Sequence, residues 1–87
     1  MEGIMEKIEF TFDVQLLVEG DNVTVDKVKN DIAKLKGDSL LVVGDDGFAR
    51  VHFHSNQPWD VLKCCAAHGT IHDIVVENME KQQEAFA

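Results

Sequence analysis

Between Ile8 and Val18 apolar and polar residues alternate. Ile8, Phe10, Phe12, Val14, Leu16 and Val18 fall on one side of an extended chain, and Glu9, Thr11, Asp13, Gln15 and Leu17 on the other. A period of two with one greasy face predicts a half-buried β-strand, which Gly20-Asp21-Asn22 ends. The period then changes. Val25, Val28, Ile32 and Leu35 recur at spacings of three and four, one stripe of a helix. Thr24 suits its N-cap and Asp26 its first turn; Lys34, Lys36 and Gly37 suit its end. Leu40 to Val43 is a short apolar strand, Gly44-Asp45-Asp46-Gly47 a hairpin turn, and Phe48 to His54 the returning strand. In that strand Ala49, Val51 and Phe53 point one way, and Phe48, Arg50, His52 and His54 the other. Ser55-Asn56-Gln57-Pro58 opens a second helix with Pro58 near its first position. Trp59, Leu62, Cys65 and Ala66 form its apolar stripe, and Gly69 ends it. Ile71 to Val76 reads as a fourth strand, and residues 78–87 as a short polar helix or frayed end.

The order is therefore βαββαβ. Right-handed crossovers put both helices on one face of a four-stranded antiparallel sheet, with strand order 4-1-3-2. The expected fold class is α+β, a ferredoxin-like sandwich. Its 87 residues form a single domain, with 1–7 and 78–87 as peripheral tails. A chain of this length buries only ~60–65% of its unfolded surface, so a partner would add materially to its stability.

Charge narrows the partners. The net charge is −8 at a pI near 4.7, and no Lys/Arg cluster is present, which disfavours nucleic acid and anionic membrane surfaces. No apolar run reaches the ~20 residues that span a bilayer. The acidic start MEGIMEKIEF is unlike a basic and then apolar signal peptide, so the expected location is cytoplasmic. Cys64 and Cys65 are adjacent, which suits two small buried hydrophobes better than a disulfide or a metal pair.

No Gly-rich phosphate loop or nucleophile elbow occurs, and no catalytic residue is expected. The face left bare by the helices is where chemistry gathers. The first strand offers Asp13 and Gln15 there, and the third offers Arg50, His52 and His54. Histidines two apart leave the same side of a strand and can reach one ion, with Asp13 as a third ligand. That donor set suits zinc or another divalent metal with an open position. The alternative is a pair of histidines in solvent or in an interface that titrates near neutral pH. Leu17, Phe48, Val75 and the Leu40 to Val43 strand would lie partly uncovered on the same face, which points to packing against a second copy or a neighbouring domain. His68 reads as a helix C-terminal dipole partner. His72, in phase with Ile74 and Val76, reads as a core-edge histidine, Trp59 as a helix-start packing residue, and Asp45 and Asp46 as turn formers.

Gly37-Asp38-Ser39-Leu40, His52-Phe53-His54-Ser55-Asn56 and Glu77-Asn78-Met79 occur in an order and spacing that resembles a known family. The run from Gly37 to Gln82 is similar to the middle domain of the dihydroxyacetone-kinase-like ATP-binding subunit of bacterial fatty acid kinase, and Phe12 to Gly20 looks like that family's first strand. The resemblance implies a multidomain parent: an N-terminal domain that binds ATP, a middle domain that links and dimerises, and a C-terminal domain that engages a lipid-carrying protein. It also implies a metal site made by a cysteine and two histidines. His52 and His54 match the histidines, whereas the cysteine position falls on Asp13, which would weaken a site for zinc. The functional expectation is a non-catalytic accessory domain that forms a homodimer or docks to a kinase domain. Two alternatives are a zinc site formed by His52, His54 and Asp13, and a small-ligand sensor.

Overall fold

A computed structural model describes residues 7–85. Four strands and three helices follow one another as β1 (Phe12–Glu19), α1 (Val25–Ile32), β2 (Asp38–Asp45), β3 (Phe48–Ser55), α2 (Pro58–Ala66), β4 (Thr70–Asn78) and α3 (Met79–Ala85). The strands form one sheet in the order β2-β3-β1-β4, antiparallel throughout. This is the α+β, ferredoxin-like arrangement that the alternation and the crossover rule predict. The core lies between the sheet and the first two helices. Val14, Leu16 and Val18 from β1 meet Val51 and Phe53 from β3, Val28 and Ile32 from α1, and Val61 and Cys65 from α2.

Local chemistry accounts for the element ends. Thr24 caps α1, its Oγ1 accepting from the Lys27 N–H at 3.2 Å. The helix stops at Ile32 rather than reaching Gly37. Lys34 N–H bonds Asp31 O and Leu35 N–H bonds Ile32 O, so the last turn tightens to three-residue closure, a common way to satisfy terminal carbonyls. Leu35 still packs against the core. β1 begins at Phe12, later than Ile8, because a side chain takes the backbone ahead of it. Asn56 Oδ1 accepts from Thr11 N–H at 2.8 Å, and its Nδ2 donates to Glu9 O at 3.1 Å. The β2–β3 turn is Asp46-Gly47, shorter than the four residues expected, and Gly47 takes φ 82°, a conformation that glycine adopts without strain.

Two readings of α2 and β4 are corrected. Trp59 is 63% exposed, and Ala66 is exposed as well; the buried line of α2 is Pro58, Val61 and Cys65. Those three residues are spaced three and four apart and share one face, while Trp59 sits ~100° around the helix from Pro58. In β4 the pairing register shifts between Gln15 and Leu17, and Asp73 takes φ 52°. The bulge reverses the alternation, so His72 pairs opposite Leu17 on one face while Val76 pairs opposite Val14 on the other. His72 is therefore out of phase with Val76 and lies on the open face.

Candidate metal centre on the open sheet face

Cross-strand pairing arranges the open face in rows. Asp38, His54, Asp13 and Glu77 make one; Leu41, His52, Gln15 and Val75 the next; Val43, Arg50, Leu17 and His72 a third. Directly opposed side chains on one face lie ~5 Å apart at Cβ, so β1 and β3 bring Asp13, His52 and His54 together. One ligand atom from each lies within 4.8 Å of the others. His52 Nε2 and His54 Nε2 are 3.2 Å apart, with ring centroids separated by 5.0 Å. Asp13 Oδ1 lies 3.6 Å from His52 Nδ1 and 3.9 Å from His54 Nε2. Gln15 Nε2 donates to Asp13 Oδ2 at 3.2 Å, holding the carboxylate beside the imidazoles. All three side chains are half-buried.

The donor set fits a divalent ion. Two nitrogens bound at 2.0–2.1 Å in a tetrahedral site lie about 3.3 Å apart, close to the observed separation of the two Nε2 atoms. The carboxylate supplies a hard oxygen and negative charge. Two imidazoles and one carboxylate are a familiar zinc set with room for a fourth ligand. Asp38 adds a contact that sequence reading did not assign: its Oδ1 lies 3.5 Å from His54 Nδ1, on the far side of the ring.

Other candidates have structural occupations. His68 Nε2 bonds Asp31 Oδ2 at 2.6 Å, tying the end of α2 to α1. That bond and the nearby Lys34 hold the Asp31 carboxyl below its ordinary pKa. His72 bonds Glu19 on β1 and pairs with Asp73, and the two carboxylates raise its pKa, Glu19 foremost. Burial pushes the Cys65 thiol up to about 12, so it is neither nucleophile nor thiolate ligand. Asp45 acts as a turn former, accepting from the Asp46 N–H at 2.8 Å. An open surface hollow is lined by Glu19, Gly20, Asp21, Asp46 and Gly47. Its three carboxylates repel a phosphate group.

The exposed apolar residues also fall on this face. Leu41 is 57% exposed, and Val43 and Val75 are each 46% exposed. Leu17 differs from the expectation: flanked by Arg50 and His72, it is only 8% exposed. Phe48 is half-buried. Among the described residues, no helix is long and apolar enough to cross a membrane.

Comparison with known proteins places this geometry in a family. The profile of the FakA-like middle domain, from the A-type chain of fatty acid kinase, matches residues 9–86. The chain belongs to that family. Protein YloV of Bacillus subtilis is 35% identical over 85 residues, which are 93% of this chain and 15% of that protein. An uncharacterised protein of Staphylococcus epidermidis is 41% identical over 54 residues, 62% of this chain and 10% of its own length. An uncharacterised protein of Staphylococcus aureus is 39% identical over 46 residues, or 53% of this chain. The FakA-like middle domain thus spans a small fraction of these relatives, and the motif pieces that carried the resemblance lie within the matched span.

Proposed function

We propose that this chain is a non-catalytic accessory domain of a FakA-like fatty acid kinase protein and that it self-associates through its open sheet face. The family profile over residues 9–86 carries the reading. The exposed Leu41, Val43 and Val75 support that face as the contact surface. Arg50 stands between Val43 and Leu17 in the same patch, a residue type enriched in interface cores. The sequence carries no Gly-rich phosphate-binding loop, so ATP chemistry falls to other parts of a longer protein, against which the same face can dock. Light scattering on the whole chain tests self-association. A dimer mass is expected, falling to the monomer mass in Leu41→Lys. A monomer at high micromolar concentration sinks the homodimer.

A second reading rests on one observation, the 3.2 Å separation of His52 Nε2 and His54 Nε2 beside Asp13. The three residues hold a divalent ion, with zinc the best match to the donors, and the ion fastens β1 to β3. With Asp13 in place of a thiolate, binding is weaker and less selective for zinc. It weakens further as pH falls, because protons compete for the imidazole lone pairs. Calorimetry should register zinc binding to the native chain and a loss in His52→Ala. No heat beyond dilution, or unchanged binding in the variant, removes these histidines from any metal role.

A further inference from the structure

The Gly37-Asp38-Ser39 segment has no part in the fold's core, yet three features of it converge on one atom. A Cβ on Gly37 would lie 2.3 Å from the His54 carbonyl oxygen and 2.3 Å from the Phe53 ring, so only glycine lets the chain pass this close to β3. Ser39 takes φ 57°, and the β2–β3 register shifts between Asp38 and Leu41. Continued without that shift, the Leu41–His52 pairing would set Ser39 opposite His54 and turn Asp38 to the helix-covered face. With the shift, Asp38 pairs opposite His54 and its Oδ1 comes within 3.5 Å of His54 Nδ1. The other nitrogen of that ring, Nε2, faces His52 Nε2 at 3.2 Å and Asp13 Oδ1 at 3.9 Å.

We infer that Asp38 is a positioning residue for His54: it holds the Nδ1 proton and so presents the Nε2 lone pair to the site shared with His52 and Asp13. A neutral imidazole carries one proton, and the partner of one nitrogen decides which nitrogen is free to ligate. Carboxylates behind metal-binding histidines do this widely, and removing one costs ~10–100-fold in metal affinity. Ser39 and Gly37 act here as backbone devices that bring Asp38 into place. The inference rests on the metal reading for its use, but the tautomer can be measured without any metal.

The test is long-range proton–nitrogen NMR on the full chain, metal-free, for the native protein, Asp38→Ala, Asp38→Asn and Asp38→Glu, with matching amide dispersion as the check on folding. Asp38 is exposed on an edge strand, so the fold should survive all three changes. Native His54 is expected to be protonated at Nδ1. In Asp38→Ala it should move toward Nε2 protonation, with Asp38→Asn intermediate and Asp38→Glu close to native. Zinc affinity measured against a competing chelator should fall ~10–100-fold in Asp38→Ala and recover in Asp38→Glu. The same His54 tautomer in native protein and Asp38→Ala overturns the inference, even where zinc binding weakens. A tautomer shift in a chain that binds no zinc overturns the metal reading and leaves Asp38 as the group that orients His54.

Discussion

The two faces of this sheet are built from the same strands and differ in what they meet. On the helix side, Val14, Leu16, Val18, Ala49, Val51 and Phe53 are at most 2% exposed. One residue along each strand, the other face carries Asp13, Gln15, Arg50, His52 and His54, with Leu41, Val43 and Val75 left open to solvent. The covered face resists change because close packing leaves a substituted side chain nowhere to go. The open face keeps titratable and apolar groups accessible, and its arrangement answers to recognition more than to folding. Stability and candidate chemistry therefore separate across a single layer of backbone.

The sharpest way to break that contrast is a charge on each side. Ile32→Asp should unfold the domain, since Ile32 is fully buried and an unpaired carboxylate there costs several kcal/mol against ~5 in total. Asp13→Asn should keep the native circular dichroism spectrum; equal loss in both would refute the division between faces. Next in size, Leu16→Ala should cost ~2–5 kcal/mol in urea unfolding, whereas Leu41→Ala should stay within ~0.5 kcal/mol for the isolated monomer. A Leu41→Ala loss that depends on protein concentration would instead locate the self-association surface. Gly37→Ala should cost ~1–3 kcal/mol from overpacking against the His54 carbonyl and the Phe53 ring, with a lowered melting temperature as the readout.

The smallest effect concerns pH. Glu19 and Asp73 raise the pKa of His72 above its ordinary 6.5. The stabilisation from that pairing is thus complete below 6.5 and is lost as pH rises through the raised value. The urea midpoint should drop slightly between about pH 6 and about pH 8.5, and the drop should shrink in Glu19→Gln. Because the pair is solvent-exposed, salt should flatten it too.

Strand alternation made the covered face legible, as one burial pattern decides which residues turn inward. Val14, Leu16, Val18, Val28 and Ile32 could be named from spacing alone, and so could the meeting of Asp13 with His52 and His54. What spacing missed came from backbone irregularity. The bulge at Asp73 reversed the phase of β4 and moved His72, and Ser39 carried β2 on to Asp38 instead of starting it at Leu40. A left-handed residue other than glycine leaves little mark on a hydrophobicity pattern. In α2 the buried line began at Pro58, a residue read only as a helix starter, so Trp59 was assigned inward although it points to solvent. Asp38 was visible as part of a motif. Its partner, His54, depended on a register that no local pattern encodes.

The point where the chain enters β1 is also where it leaves β4. Met79 N–H bonds Thr11 O at 2.8 Å, Phe12 pairs with Asn78, and Asn56 grips the backbone at Glu9 and Thr11. A tension applied through the flanking chain would load this corner first. Antiparallel neighbours pulled from the same end peel apart one bond at a time, in contrast to strands pulled from opposite ends, where the whole ladder shares the force. The Asn56 amide is then a mechanical latch. It would have to release before the β1–β4 ladder begins to open, while the α1 side of the core is still intact.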